Sequence, residues 1–468
     1  MVFSELIFIY AFLPLFIIFY FLIPNLTYKN VVLVVFSLVF YAWGEPVWVL
    51  LLIGSTLCDY INGLFIKKHF GTKKAKLGVA ASLFVNLGLL LVFKYGAFFT
   101  GTINAAFGVN LPVHQLDLPI GISFYSFQSI SYIVDVYRGK VKAQTSFLKF
   151  LMYISMFFQL VAGPIVCYGT IEKQIERRDI SITNFSQGLI RFCIGLGKKV
   201  IIANQMGFLA DEFLGKAAPQ SVAAAWFGVI MFALQIYYDF SGYSDMAIGM
   251  GKMAGFTFLE NFNYPYISGS AKEFWRRWHI SLGSFFREYV YIPLGGNRKH
   301  LYLNLAIVWF LTGLWHGASW NFIIWGCYFG FLIIIENLFL GKVLEKIPRF
   351  FSVLYLLFAA LIGWAVFYFT DLAKLGVYLA GMFGAGGIKA VDELTKTTLL
   401  NNIFIIAIAV ISCAPIVPKI KAFFEKRKNA PAVSLYTTLQ TIAACTILIL
   451  SSVLLVGDTN NPFLYFRF

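Results

Sequence analysis

ENFNYPYISGSAKEFWRRWHISLGSFFREYVYIPLGGNRKH (260–300) is followed directly by LYLNLAIVWFLTGLWHGASWNFIIWG (301–326). The first part is basic and aromatic and is interrupted by Gly and Pro, whereas the second part, Leu301–Gly326, is apolar enough to enter a bilayer. His316 lies near the middle of the apolar part. An ionisable side chain is costly to bury at membrane depth, so His316 predicts a functional site.

The composition of the chain predicts a membrane protein. Of the 468 residues, 59% are hydrophobic and only 13% are charged, and the mean hydropathy is +0.77. Soluble domains are nearer a quarter charged. Each spanning helix needs about 20 apolar residues, so the apolar segments predict roughly 11 or 12 crossings or re-entrant pieces. We therefore expect an all-α polytopic integral membrane protein, folded as a single domain over residues 1–468. Its first apolar segment, Leu6–Ile23, lacks the features of a cleavable signal peptide and is expected to be retained.

The net charge of +15 is typical of a multi-pass protein whose basic residues lie mainly in cytoplasmic loops. This rule predicts that Lys67–Lys76 and Lys419–Lys428 are cytoplasmic and that Gly101–Asp117 is external. No nucleic-acid-binding motif accompanies the charge, so we expect no nucleic-acid partner. The six cysteines are scattered without C-x-x-C spacing, so we expect neither a metal site nor a disulfide framework.

The neighbours of His316 favour a chemical role for it. Small and indole side chains flank the imidazole: Gly313, Gly317, Ala318, Ser319, Trp315, Trp320 and Trp325. We expect the small residues to let backbones or a substrate approach closely, with Gly313, Gly317 and Ala318 leaving a passage open, and we expect the indoles to form rigid walls. An imidazole there can both take and return a proton, because its unperturbed pKa lies near neutrality. The alternative is an interior histidine that only forms a hydrogen bond with a neighbouring helix.

A second histidine, His279, lies upstream within Phe274–Phe286. On one continuous helix, Trp275, Trp278 and Leu282 would share a face, and the basic residues would share another. His279 is then a candidate site residue. The alternative is an interfacial helix whose histidine and arginines contact lipid headgroups.

Four arginines of the same region are candidates for binding an anionic ligand: Arg276, Arg277, Arg287 and Arg298. Guanidinium groups bind phosphates in a bidentate manner, so these side chains could hold the phosphates of a coenzyme or a glycolipid. Anchoring at the cytoplasmic interface explains any one of them equally well.

Two carboxylates, Asp239 and Asp245, lie within the apolar run Ala223–Met250. On a continuous helix, six residues correspond to about 600°, so the two side chains point to different faces and do not form a metal pair. We expect them to be polar partners in the core, and the second interpretation is that they line a tunnel.

Several long motifs resemble the membrane-bound O-acyltransferase family, and most closely its bacterial members that O-acetylate polysaccharides. In the region quoted above they are WRRWHISL (Trp275–Leu282), REYVYIPLGGNR (Arg287–Arg298) and LTGLWHGASWNFIIWG (Leu311–Gly326). Elsewhere they are LPIGISFYSFQSISYIVDVYRG (Leu118–Gly139), QLVAGPI (Gln159–Ile165), YYDFSGYSDMAIGMGKMAGF (Tyr237–Phe256) and PFLYFRF (Pro462–Phe468). They cover about half of the chain in order, with a motif core at residues 118–335.

The resemblance implies a ring of roughly 11–12 transmembrane or re-entrant helices, in which a cytoplasmic tunnel and an extracellular funnel meet. It implies that His316 is the catalytic base and that His279 accompanies it as an orienter or proton partner. The implied enzyme is an O-acyltransferase without a bound cofactor, which takes acetyl from cytosolic acetyl-CoA as donor substrate. The implied acceptor is an extracytoplasmic polysaccharide, reached directly or through a periplasmic or cell-surface partner protein. The implied location is the inner (plasma) membrane of a bacterium.

Two other functions remain open at this point. One keeps the enzyme class but changes the substrates, with D-alanyl transfer to teichoic acid. The other is a proton-coupled transporter with His316 as a proton relay. Transporters commonly contain internal repeats with paired broken helices, and the sequence contains no visible repeat.

Overall fold

The computed structural model describes every residue of the chain except 115, 162, 427–429, 458–462 and 465–468. The chain forms two compact units, each built from separate parts of the sequence. The first unit contains Met1–Phe192, Ser244–Leu259 and Arg287–Tyr289, and the second contains Cys193–Tyr243, Glu260–Phe286 and Val290–Phe468. A single domain over residues 1–468, with its motif core at 118–335, stays a prediction.

Helices build both units. The first eleven are α1 (Phe8–Leu22), α2 (Leu26–Gly44), α3 (Trp48–Lys68), α4 (Ala75–Phe107), α5 (Ile122–Tyr137), α6 (Phe147–Ser155), α7 (Phe157–Leu160), α8 (Tyr168–Glu176), α9 (Ile182–Gly197), α10 (Asn204–Leu214) and α11 (Val222–Met253). The next ten are α12 (Ala271–Arg277), α13 (Ile280–Phe286), α14 (Leu301–His316), α15 (Trp320–Lys346), α16 (Arg349–Tyr368), α17 (Leu372–Met382), α18 (Glu393–Asn401), α19 (Ile403–Ser412), α20 (Ile416–Lys426) and α21 (Ala430–Gly457). A π-helical run, Lys198–Ala203, joins α9 to α10.

Seven of the described helices are long and apolar enough to cross a membrane: α2, α3, α4, α11, α15, α16 and the Leu435–Gly457 part of α21. Helices α18 and α19 qualify together as one further span that is bent by 70°. Helices α1, α14 and α17 are apolar but shorter. The prediction of an all-α polytopic membrane protein is therefore confirmed. The described helices that are long enough to cross number seven or eight, so the predicted 11 or 12 crossings or re-entrant pieces would have to include the shorter apolar helices.

The apolar stretch Leu301–Gly326, which the sequence predicts to enter the bilayer, is not one continuous helix. Helix α14 ends at His316, and α15 begins at Trp320. With 16 residues, α14 is about 24 Å long, which is shorter than the hydrocarbon core. His316 therefore lies at the end of a helix, beside a chain reversal, and not at the middle of a span.

Three further segments refine the sequence predictions. The predicted loop Gly101–Asp117 is helical as far as Phe107 and becomes irregular at Gly108, which has a left-handed backbone. Of the predicted basic loop Lys419–Lys428, the residues up to Lys426 belong to α20, and the last two lie outside the described residues. Only Phe463 and Leu464 of the terminal motif are described.

Asp245 has a polar partner in the first unit, as its sequence predicts. Its Oδ1 lies 2.7 Å from Nη2 of Arg191. Asp135 of the same unit pairs with Lys140 at 3.9 Å and accepts a hydrogen bond from the Tyr289 hydroxyl at 2.7 Å. Asp245 and Asp135 therefore both have polar partners within the first unit.

Candidate active site

Helices α14 and α15 of the second unit form an antiparallel hairpin in which the two backbones touch. A Cβ at Gly326 would lie 2.4 Å from the carbonyl oxygen of Trp309, and a Cβ at Gly313 would lie 2.4 Å from that of Phe322. Only glycine permits this approach, and small residues are the usual means by which membrane helices pack closely. At Gly317, a Cβ would meet the Phe322 ring at 2.3 Å. The prediction that small residues let backbones approach closely is therefore confirmed at Gly313. The prediction that Gly313 and Gly317 keep a passage open is wrong, because protein atoms fill the space beside both.

The hairpin turn places His316 against aromatic rings. The imidazole is 8% exposed and lies nearly perpendicular to the rings of Trp325 and Phe367, with centroids 4.8 Å and 5.3 Å away. Edge-to-face contacts of this kind fix the orientation of a ring. Trp315 packs against it from the preceding position at 4.9 Å. Trp320, the third predicted wall, is 49% exposed and does not line the site.

A small cavity opens beside the His316 imidazole. Its volume is about 30 Å³, and we call it the histidine cavity. Two lining residues are ionisable, His316 and Asp239, and the rest are apolar or aromatic: Ile236, Phe240, Trp278, Trp325, Trp364, Phe367, Phe463 and Leu464. Whole-ligand pockets commonly measure about 300–1,000 Å³, so only a small reacting group fits beside the histidine.

Asp239 on α11 connects the wall of the histidine cavity to two other segments. Its Oδ1 lies 2.5 Å from Nζ of Lys199, and both side chains are almost fully buried. Its Oδ2 accepts a hydrogen bond from the backbone N–H of Leu464 at 2.8 Å. Asp239 is therefore a polar partner in the core, and it also lines the histidine cavity, whereas its lining of a tunnel stays a prediction.

His279 lies at a break between two short helices and not on one continuous helix. Helix α12 ends at Arg277, α13 begins at Ile280, and the backbone of His279 has a φ of +45°. Few residues other than glycine adopt this left-handed conformation, and such strain often accompanies functional sites. The predicted common face of Trp275, Trp278 and Leu282 therefore does not exist, because the helix stops before Trp278.

The hydrogen bonds of His279 determine its tautomer. Asn261 Oδ1 accepts from the backbone N–H of Ser281 at 3.2 Å, so it is an acceptor, and His279 Nδ1 donates to it at 3.1 Å. The proton on Nδ1 leaves Nε2 as the basic nitrogen. Burial lowers the pKa of His279 to about 3, so the imidazole is neutral at physiological pH.

Two aromatic residues lie between the His279 imidazole and the His316 region. Trp315 has its ring centroid 5.9 Å from that of His279, and it also contacts His316. Phe240, which lines the histidine cavity, contacts His279 edge-on at 4.6 Å. His316 thus borders the cavity, and His279 contacts residues that form and support its wall.

The hairpin also holds the helix that leads to His279. Glu336 of α15 accepts hydrogen bonds from the first two backbone N–H groups of α12, from Ala271 at 2.6 Å and from Lys272 at 2.9 Å. The Ser270 hydroxyl caps the same helix by accepting from Glu273 N at 3.1 Å. Carboxylates and serine at a helix start satisfy its free donors and complement its dipole. One set of hydrogen bonds therefore connects the two histidine-bearing segments.

A salt bridge reinforces the start of α12. Glu273 lies 2.7 Å from Nη2 of Arg349 and also pairs with Arg277 at 3.1 Å. Burial tends to raise the pKa of Glu273, but the hydrogen bond from Gly269 N and the Arg349 guanidinium outweigh burial and lower it. The carboxylate is therefore ionised at physiological pH and can hold the start of α12 in place.

The sequence profile of the membrane-bound O-acyltransferase family matches residues 140–377 of this chain. The chain belongs to this family. It is 38% identical to the probable alginate O-acetylase AlgI of Azotobacter vinelandii, over the full length of both chains. It is 31% identical to the peptidoglycan O-acetyltransferase of Helicobacter pylori, over 100% of this chain and 98% of the relative. A teichoic acid D-alanyltransferase of Bacillus subtilis is more distant, at 28% over 49% of this chain and 61% of the relative.

Membership of the membrane-bound O-acyltransferase family makes this chain an O-acyltransferase that crosses the membrane several times. The two histidines predicted from the sequence both fall within the matched region, as do the four arginines.

The four predicted arginines differ in their surroundings within this O-acyltransferase. Arg276 and Arg298 are exposed in the second unit, where Arg277 donates to Glu273 and to the carbonyl oxygen of Asn263. Arg287, in the first unit, is exposed and pairs with Glu288 at 3.0 Å. Among the described residues, no arginine lines the histidine cavity. The predicted binding of phosphates by these four side chains therefore does not involve the lining of this cavity.

Sequence reasoning missed three residues that shape the site: Asn261, Lys199 and Glu336. The first gave a usable signal, because an asparagine in an aromatic, Gly- and Pro-broken stretch is a natural turn residue. Lys199 pairs with a carboxylate 40 positions later in the sequence, and Glu336 caps a helix 65 positions earlier. Only the tertiary fold reveals such contacts.

Proposed function

We propose that this enzyme transfers acetyl groups from cytosolic acetyl-CoA towards hydroxyl groups of an extracytoplasmic polysaccharide. The observation that carries the proposal is the position of His316, a buried imidazole that borders a small aromatic cavity at the end of a membrane helix. The relatives named above, an alginate O-acetylase and a peptidoglycan O-acetyltransferase, support acetyl as the group and a polysaccharide as the acceptor.

In the proposed mechanism His316 is the general base. A neutral imidazole takes the proton of the acceptor hydroxyl while the hydroxyl oxygen attacks the thioester carbonyl carbon. A C–O bond forms, the C–S bond breaks, and the imidazolium gives its proton to the leaving thiolate. The aromatic wall formed by Trp325, Trp364 and Phe367 excludes water from the reacting carbonyl, which favours transfer over hydrolysis.

His279 is proposed to position His316 and the cavity wall, and not to take the first proton. Its Nδ1 is engaged by Asn261, and its ring packs on Trp315 and Phe240. A change at His279 therefore reaches the reacting groups through these rings. The proposed role agrees with its place outside the lining of the histidine cavity among the described residues.

The donor is proposed to arrive from the cytoplasmic side because its phosphates do not cross hydrocarbon. Basic residues mark that side, and Arg298 and Lys299 precede the start of α14. Helix α14 then runs from this basic end to His316. Arg276, Arg277, Arg287 and Arg298 remain the proposed phosphate-binding residues, since guanidinium groups suit that ligand.

The acceptor is proposed to arrive from the opposite side, with the enzyme in the plasma membrane of a bacterium. A periplasmic or cell-surface partner, similar to acetyltransferases or esterases, is proposed to complete delivery to the polysaccharide. D-alanyl transfer is less well supported, because the D-alanyltransferase named above aligns with only 49% of the chain.

The donor proposal can be tested with purified enzyme in sealed vesicles. Acetyl-CoA labelled in the acetyl group is supplied on one face, and labelled ester on an added polysaccharide is measured with and without candidate partner proteins. We expect transfer from acetyl-CoA with the wild type and none with His316→Ala. Transfer from a D-alanyl carrier-protein thioester, with no transfer from acetyl-CoA, would replace this proposal with the D-alanyl alternative.

The sidedness can be tested in whole cells with a cysteine-free variant. Cysteines are introduced singly at Lys74, in the first lysine-rich loop, and at Asn110, in the irregular segment after α4. Both positions are exposed. An impermeant thiol reagent is expected to label the Asn110→Cys protein and not the Lys74→Cys protein. The reverse labelling pattern would mean that donor and acceptor sides are exchanged.

A further inference from the structure

Leu464 lines two separate cavities of the second unit. One is the histidine cavity, and the other is a larger space of about 280 Å³, which we call the outer pocket. Besides Leu464, the outer pocket is lined by Phe232, Tyr368, Phe369, Thr370, Asp371 and Lys374. Its ionisable and hydroxyl side chains suit a polar ligand with hydroxyl groups, whereas the histidine cavity is almost entirely apolar.

The outer pocket lies at the end of α16 that is opposite its basic start. Helix α16 begins at Arg349, shortly after Lys346, and ends at Tyr368, beside the pocket. With the basic end in the cytoplasm, as the charge distribution predicts, the outer pocket is on the acceptor side. A hydroxyl that enters through the outer pocket meets Leu464 before it reaches His316.

The position of Leu464 is fixed by strong contacts. Its backbone N–H donates to Asp239, and the other oxygen of that carboxylate pairs with Lys199 at 2.5 Å. The preceding ring, Phe463, packs on Tyr243 with centroids 4.8 Å apart. Because both side chains of the Asp239–Lys199 pair are almost fully buried, removal of either one would leave a buried charge unpaired. Phe463 and Leu464 are both almost fully buried.

We propose that the Leu464 side chain is a barrier between the outer pocket and the histidine cavity, and that Asp239 is the positioning residue that holds it. The proposal rests on the acyl-transfer function proposed above. The barrier keeps water from the thioester carbonyl while a hydroxyl acceptor is absent. An isobutyl group suits this task because it neither binds water nor exchanges protons.

Without the barrier, water takes the place of the acceptor hydroxyl. His316 removes a proton from the water, the oxygen attacks the thioester carbonyl, and the C–S bond breaks. The thiolate receives the proton, and the products are the free acid and the thiol. The measurable consequence is therefore donor hydrolysis without acceptor, compared with transfer to acceptor by the same protein.

The first test compares Leu464→Ala with Leu375→Ala in full-length protein. Both leucines are 6% exposed in the second unit, but Leu375 lines neither cavity. With acetyl-CoA as probe, we expect Leu464→Ala to raise the ratio of hydrolysis to transfer several-fold. Leu375→Ala is expected to leave the ratio of hydrolysis to transfer at the wild-type value. Leu464→Met conserves the volume of the side chain, so its ratio is also expected to stay near the wild-type value. An unchanged ratio in a folded Leu464→Ala protein would overturn the proposal.

The second test addresses Asp239. It also tests the proposed barrier if the Leu464→Ala protein does not fold. Both variants carry Lys199→Met, so that no buried charge is left unpaired. Asp239→Asn retains an oxygen for the Leu464 amide, whereas Asp239→Leu removes it. We expect a higher hydrolysis ratio with Asp239→Leu than with Asp239→Asn, and equal ratios would show that Asp239 does not hold the barrier. If the wild type uses acetyl-CoA neither for transfer nor for hydrolysis, the proposed function fails instead.

Discussion

The two buried histidines of the second unit differ in what surrounds them. His316 ends a helix, touches aromatic rings and borders a cavity, whereas His279 lies on strained backbone and is held by a hydrogen bond from its own Nδ1 to Asn261. A group that must meet a substrate needs adjacent space, and a group that positions others needs fixed partners. This difference supports the proposal that His316 transfers the proton and that His279 positions His316.

The largest expected effect is the loss of acyl transfer in His316→Ala. General acid–base catalysis typically contributes about 10²–10⁴-fold, and this variant removes only the proton-transfer group. Acyl transfer to a polysaccharide is measured beside donor binding and the midpoint of thermal unfolding. We expect donor binding and the midpoint to stay near wild type. Transfer at the wild-type rate in a well-folded His316→Ala protein would remove the distinction between the two histidines.

A smaller loss is expected for His279→Gln and for Asn261→Leu. Both remove the hydrogen bond that orients the ring, and a misplacement of about 1 Å can cost about 10²-fold in rate. Because the two residues act through one contact, the double variant should be little worse than the worse single variant. Asn263→Ala, at an exposed asparagine two residues further on, is the control. Losses that multiply in the double variant would argue for separate roles.

The hairpin that carries His316 can be tested through its stability. Gly326→Ala places a methyl group against the Trp309 carbonyl, and overpacking of this kind typically costs about 1–3 kcal/mol. Gly88→Ala, in the apolar helix α4, meets no atom within 4 Å and is the matched control. Thermal unfolding in detergent should show a lower midpoint for the first variant only. Equal midpoints would mean that the hairpin tolerates separation of its helices.

The smallest expected effect is a pH dependence of stability that comes from His279. Its pKa is lowered in the folded protein from an ordinary value of 6.5 to about 3, so between these values the unfolded chain binds the extra proton. Stability contributed by the neutral ring is thus present above 6.5 and falls as the pH drops below it, by at most about 1.4 kcal/mol per pH unit. Thermal midpoints from pH 7 to pH 5 should fall more in the wild type than in His279→Gln. Parallel curves would show that His279 is not buried in its neutral form.

Much of this architecture could be predicted from the sequence because it depends on local composition. Long apolar runs predicted the spanning helices. Asp239 and Asp245 were predicted to be polar partners in the core, and they pair with Lys199 and Arg191, respectively. His316 was a candidate because an ionisable side chain is rare among apolar residues. These features could be predicted without knowing which parts of the chain pack against them.

Other features depend on tertiary packing, and the sequence alone could not supply them. The left-handed backbone at His279 has no glycine to mark it, and it is supported by hydrogen bonds that Asn261 accepts from His279 Nδ1 and from the backbone N–H of Ser281. The turn after His316 was hidden because both arms of the hairpin are apolar, so that the two arms resembled one span. Gly313 and Gly317 suggested empty space, but Phe322 fills it. Each of these depends on a neighbour that lies elsewhere in the chain.

The most direct test of the central claim is chemical rescue of the two histidines by added imidazoles. His316→Gly and His279→Gly proteins are assayed for acyl transfer with a series of substituted imidazoles of similar size and different pKa. A general base obeys a Brønsted relation, so the rescued rate should follow the pKa of the added base. We predict such a dependence for His316→Gly and none for His279→Gly. A rescued rate that follows the pKa at position 279, and not at position 316, would contradict the account.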